Sequence, residues 1–298
     1  MTRKFQSHLA MLCFSILIAG SFSLGSIVAH DISPVAFTAV RFTLAAFIVG
    51  IVAFSTGSVT KAALKSPWRY LVMGGTLSIY FVLMFEGLKT ASPISTVSVF
   101  TLIPVMSALI GFSVLGQLIN FRIMSALIIG VLGALWVIFR ADVQSLSMFA
   151  VGRGEVIYFV GCVAYAFMPV LFRLLNRGEN ALMATFGMLI SGGVILIFLG
   201  TSEIIQTDWV SLPLTVWITI LYVSIFASAI TFALVQFASM HLPATNVLAY
   251  TYLTPTWVLV WEFLLGHDVP SLWVLAGIFL TVLSVALLLK TSLQSQGV

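Results

Sequence analysis

The sequence predicts an all-α polytopic membrane protein of ten transmembrane helices, arranged as two inverted five-helix repeats with both termini in the cytoplasm. Three observations carry this. The 298 residues are 61% hydrophobic and only 7% charged, whereas a soluble domain is roughly a quarter charged. The apolar residues fall into ten runs, each near the ~20 residues a helix needs to cross a bilayer. A pattern in the first half recurs 151 residues later. The same composition excludes a soluble globular domain, a disordered chain and, with two cysteines, a disulfide scaffold.

Along the chain the runs are 8–29, 33–55, 68–88, 93–115, 121–140, 154–175, 181–202, 213–239, 244–265 and 270–290. The first follows Arg3 and Lys4. Its apolar stretch, Leu9 to Ala29, exceeds the roughly 7–15 residues of a signal core, so it reads as a retained helix. The second, fourth, eighth, ninth and tenth open at Pro34, Pro93, Pro213, Pro243 and Pro270. Proline suits a first helical turn, where its missing N–H costs nothing. The third follows a break from Lys61 to Pro67, the fifth Asn120, the sixth Arg153 and the seventh Asn176-Arg177-Gly178. The stretch 209–261 holds no Asp, Glu, Lys or Arg and divides at Leu242-Pro243. Cys13 and Cys162 fall inside runs, as buried packing residues do.

Charge sets the orientation, because Lys and Arg accumulate on the cytoplasmic side. One side takes Arg3, Lys4, Lys61, Lys65, Arg69, Arg122, Arg173, Arg177 and Lys290. The other takes only Lys89, Arg140 and Arg153. Both termini are therefore placed in the cytoplasm. The net charge of +4 is spread singly or in pairs between apolar runs, which gives no face for nucleic acid.

The recurrence aligns Thr101-Leu102-Ile103-Pro104 with Tyr252-Leu253-Thr254-Pro255, Phe112 with Phe263, Leu132 with Leu283, and Gln117 with Asp268. It divides the chain into 1–145 and 146–298. An odd number of spans per half makes the second half enter the membrane from the opposite side. Inverted repeats are the architecture of many secondary transporters, with the substrate near the midplane between halves.

At these residues the sequence resembles the drug/metabolite transporter superfamily, specifically its EamA-type members with ten helices. Val35-Ala36-Phe37-Thr38-Ala39-Val40-Arg41-Phe42 is similar to the family's second helix. Gly87 through Pro93, then Leu102-Ile103-Pro104-Val105, is similar to its third-to-fourth helix passage. Tyr252-Leu253-Thr254-Pro255 through Asp268, then Gly277, is similar to the second copy. The chain departs in having Ala19-Gly20-Ser21 where the family often has Trp-Gly, and Gln117 where it often has Glu. The resemblance implies export of amino acids or related amphipathic metabolites across the inner membrane, against proton entry or as a facilitator.

A charge inside a span is costly and usually faces a partner or a wet cavity. Arg41 lies about 12 Å from the nearer membrane face at 1.5 Å per residue. It binds a substrate carboxylate or phosphate, or pairs with an acid. Glu262 and Glu86 stand near the periplasmic ends of the ninth and third runs. Each either reaches headgroup water or is desolvated, and a desolvated carboxyl can carry a proton. Ser21, Tyr80, Ser98, Tyr165, Asn246, Tyr250 and Trp257 are candidate cavity walls, since aromatics with a polar edge suit amphipathic metabolites. Against that, membrane hydroxyls often bond their own backbone. Pro104 and Pro255 are candidate kinks or hinges. Ala126, Gly130 and Ala134 form a small-residue seam for packing or a homodimer.

No metal-binding spacing, phosphate loop or other enzyme motif appears, so neither metal nor cofactor is expected. The partners expected are a small-molecule substrate, the lipid bilayer and, where coupled, protons. An intramembrane lipid-acting enzyme would need clustered polar groups, and the acids here are scattered. A non-transport membrane protein would need more extramembrane surface than these loops provide.

Overall fold

The computed structural model describes residues 2–60, 65–91, 93–117, 121–138, 152–266 and 273–294. Lys61, Arg140, Asp268 and Pro270 lie outside the described residues, as do the side chains of Ser98 and Lys290. Helices follow in order: α1 (Arg3–Val28), α2 (Pro34–Ser55), α3 (Trp68–Leu88), α4 (Pro93–Phe100), α5 (Ile103–Leu115), α6 (Phe121–Ile138), α7 (Arg153–Ala166) and α8 (Met168–Leu175). Then come α9 (Ala181–Leu199), α10 (Thr201–Gln206), α11 (Leu214–Ser224), a π turn (Ile225–Ile230), α12 (Thr231–Ser239), α13 (Ala244–Ala249), a 3-10 turn (Tyr250–Leu253), α14 (Thr254–Leu264) and α15 (Val274–Gln294). No strand occurs among the described residues.

Among the described residues six helical stretches are long and apolar enough to cross a bilayer: Arg3–Val28, Pro34–Ser55, Trp68–Leu88, Arg153–Leu175, Ala181–Leu199 and Leu214–Ser239. Shorter apolar helices accompany them. The outside of the bundle is apolar too, with Phe47, Phe54, Phe198, Leu199 and Phe279 all exposed. That is a surface for lipid. The chain is a multi-pass membrane protein.

Three of the expected runs are interrupted just before a proline. The run at 93–115 breaks at Thr101-Leu102, and Pro104 sits in the first turn of α5. Pro255 occupies the same place in α14, after the 3-10 turn. Pro169 does the same in α8, a break the sequence analysis does not anticipate. In each case the ring removes a helical N–H and crowds the preceding turn. Elsewhere the starts are capped as the loop residues dictate. Ser33 and Asn180 side chains accept from Ala36 N and Met183 N at 3.5 and 2.9 Å.

Small residues set the helix contacts. A Cβ on Gly74 would fall 2.5 Å from the backbone of Gly192 and Met188, so α3 and α9 touch through their main chains. The Ala126–Gly130–Ala134 seam is filled by the chain's own last helix: Ser284 Oγ donates to Ala126 O at 2.5 Å, and both alanines are fully buried. The homodimer reading thereby loses the surface that suggested it. Cys162 is buried, but Cys13 is exposed on the outside of the bundle, contrary to expectation.

Candidate substrate cavity

Arg41 stands about two turns into α2, fully buried. Its Nε donates to Ser228 Oγ at 2.6 Å and its Nη2 to Ala227 O at 2.7 Å. The guanidinium carbon lies 3.7 Å from the Phe81 ring centroid, a distance at which a cation is attracted to the ring face. Nη1 has no hydrogen-bond partner.

The π turn makes this docking workable. An extra residue in the helical turn shifts the i→i+4 ladder and turns backbone carbonyls outward. Ala227 offers such a carbonyl to Arg41, while Ser228 Oγ donates to Val223 O, five residues back, at 2.7 Å. One hydroxyl thus closes the bulge and accepts from the arginine.

Around Arg41 lies a cavity of about 20 Å³, room for a single water. Its walls are Phe14, Ile18, Ser21 and Phe22 of α1, Tyr80, Phe81 and Met84 of α3, Phe100 of α4, Tyr165 of α7, Ala227 and Phe232. The rings of Tyr80 and Tyr165 are 4.5 Å apart, and Tyr80 and Tyr158 share a hydroxyl hydrogen bond of 3.1 Å. Ser21 Oγ has no partner. No carboxylate is among the described lining residues.

Four expected wall residues, Ser21, Arg41, Tyr80 and Tyr165, therefore converge. Three do not line this cavity. Trp257 Nε1 donates to Ser15 Oγ at 3.2 Å, and Tyr250 hydroxyl meets His8 Nδ1 at 3.2 Å. Both tie the 3-10 region and α14 to α1. Asn246 is buried with Nδ2 unpartnered, outside this cavity. The side chain of Ser98 lies outside the described residues. The lining phenylalanines and the π turn carry no signal in the sequence, because a phenylalanine facing a cavity looks like one facing lipid.

Glu262 accepts from Ser23 Oγ at 2.7 Å. It sits beside the cavity helix α1 and not in the cavity. Glu86 pairs with Lys89 at 2.8 Å and is 43% exposed. Among the described residues no group of three or more His, Cys, Asp or Glu is placed to hold a metal.

A second buried arginine lies at the bundle rim. Arg69, 2% exposed, gives Nη2 to Glu179 Oε1 at 2.5 Å, Nη1 to Leu175 O at 2.6 Å and Nε to Ser66 O at 3.2 Å. Burial alone would raise the Glu179 carboxyl. The hydrogen bonds from Arg69 and from the Arg177 backbone outweigh it and hold the group below its usual value.

The model of the EamA-like transporter family matches residues 6–139 and again 152–290. The uncharacterized transporter YyaM of Bacillus subtilis (strain 168) is 25% identical over 273 residues, covering 91% of this chain and 90% of that one. One solved crystal structure superposes with a TM-score of 0.74 at 18% identity, covering 96% of each chain, a likeness of fold.

Proposed function

The chain belongs to the EamA-like transporter family, and we propose that it is a secondary transporter exporting a small organic metabolite, an amino acid or related amphipathic compound, across the inner membrane. Ten spans, in two inverted halves at 1–145 and 146–298 with cytoplasmic termini, exchange conformations around a central site. The twofold family match supports the division. So does the placement of Pro104 and Pro255, each in the first turn of a helix that follows an irregular turn. The observation that carries the reading is the Arg41 cavity, which is built from helices of both matched segments. At about 20 Å³ it is contracted, well below the roughly 300 Å³ or more of a ligand site. Alternating access is the motion that widens it toward one side and then the other.

Proton antiport requires a carboxyl that exchanges its proton as substrate binds. Glu262 is the candidate, because its partner Ser23 lies two residues from the cavity-lining Ser21 on α1. Movement of α1 on substrate binding would break or make that hydrogen bond. A facilitator without ion coupling is the second reading, favoured by the lack of any carboxylate among the lining residues. Uptake of metabolites into liposomes containing the purified protein, with and without an imposed pH gradient, separates them. Flux that follows the gradient and falls at least tenfold in Glu262→Gln supports antiport. Flux indifferent to both supports the facilitator. No flux from folded protein for any compound sinks the transporter reading.

A further inference from the structure

We infer that the occupant of the Arg41 cavity is a small organic monoanion, with one carboxylate bound at Arg41 Nη1 and a flat apolar body lying against the surrounding rings. This rests on the transporter reading and narrows its substrate class.

The argument is a count of donors and charges. Arg41 is fully buried and binds two neutral acceptors, Ser228 Oγ and Ala227 O. Those contacts hold the side chain still without neutralising it. Nη1, on the third nitrogen, meets no acceptor, and in the same cavity Ser21 Oγ is also without a partner. A carboxylate accepts hydrogen bonds through two oxygens and donates none. One carboxylate therefore satisfies both unmet groups and supplies the missing counter-charge.

Other classes fit worse. A cationic substrate meets a fixed positive charge with no acid in the wall. A zwitterionic amino acid satisfies Arg41 but carries an ammonium group to the same acid-free lining, so the corresponding hydroxy or oxo acid is preferred. A phosphate dianion brings about two negative charges to a lining whose charged residue is Arg41 alone, so one charge goes uncompensated. The body of the ligand follows from the walls. Phe81, Tyr80, Tyr165 and Phe232 offer ring faces and edges, which select flat apolar groups over sugars.

The test uses the full chain in liposomes at pH 6 and three probes of one shape: phenyllactate, phenylalanine and phenylalaninamide, which are anionic, zwitterionic and predominantly cationic at that pH. A matching aliphatic set is 2-hydroxyisocaproate, leucine and leucinamide. The expected result is protein-dependent flux of the acids at least tenfold above the amides. Arg41→Gln removes at least nine-tenths of acid flux and Ser21→Ala reduces it severalfold. If Arg41→Gln fails to fold, the wild-type protein decides alone: the acids raise its unfolding temperature and the amides do not. Amides or amino acids moving faster than the acids overturn the inference and leave the transporter reading standing, as does acid flux that survives Arg41→Gln. Absence of flux for these probes and for a broad metabolite panel, from folded protein, overturns both.

Discussion

The two buried arginines among the described residues, Arg41 and Arg69, stand in contrasting surroundings. They are 0% and 2% exposed. At the rim, Arg69 has each of its three nitrogens engaged, by Glu179, the Leu175 carbonyl and the Ser66 carbonyl. Its charge is cancelled, and the loop at 176–180 is pinned to α3. In the interior, Arg41 has two nitrogens engaged by neutral groups and one by nothing. A purely structural arginine at that depth would be selected to look like Arg69, because an uncompensated buried charge costs several kcal/mol. In the proposed reading, a substrate carboxylate completes the shell that Arg41 leaves open at Nη1.

The comparison breaks if the two arginines respond alike to the same substitution. Arg69→Gln leaves the Glu179 carboxylate without its ion pair. Removing one member of a fully buried pair costs about 3–5 kcal/mol, and the wet rim reduces that to about 2 kcal/mol. The expected result is an unfolding temperature lower by about 5 °C, with the preference for acids over amides unchanged. Arg41→Gln strands no acid, so its main effect is on flux and selectivity. Differential scanning fluorimetry beside liposome flux reads both. A larger loss of stability from Arg41→Gln than from Arg69→Gln would reverse the assignment of roles.

The rim pair also predicts a pH dependence. The Glu179 carboxyl titrates below its ordinary 4.5 in the folded protein. Its contribution to stability is therefore fully present above pH 4.5 and is lost as pH falls through the lower folded value. The difference in unfolding temperature between wild type and Glu179→Gln, a few °C at neutral pH, should stay constant from pH 8 to about 5 and shrink below 4.5. A difference that instead fades between pH 8 and 6 would mean that the pair is not what holds the loop.

Much of this contrast is legible in the residues. Arg41 announces itself as a cation inside an apolar run, and the prolines at 104 and 255 mark real helix starts. Partnership is what sequence cannot give. Nothing in Ile225-Phe226-Ala227-Ser228 marks a π turn, because the bulge is defined by what Arg41 takes from it and not by local propensity. Tyr250 and Trp257 look like Tyr80 and Tyr165, polar-edged aromatics in apolar helices, yet they bond His8 and Ser15 outside the cavity. Which face of an apolar helix points inward is invisible when both faces are apolar. The Ala126–Gly130–Ala134 seam was readable as a contact, but its partner proved to be α15 of the same chain.

The smallest effect belongs to the other candidate carboxyl, Glu86. Glu86 pairs with Lys89 one turn along the same helix end, and both side chains are substantially exposed. Such a pair contributes about 0–1 kcal/mol, because water screens it and two long side chains must be held in place. Glu86→Gln should therefore shift the unfolding temperature by less than about 2 °C and leave the pH response of flux intact. That null result sharpens the parallel substitution at Glu262, whose hydrogen bond to Ser23 connects it to the helix that also lines the cavity. If Glu86→Gln abolished gradient-driven flux and Glu262→Gln did not, the proton route would run past Lys89 at the surface and not along α1.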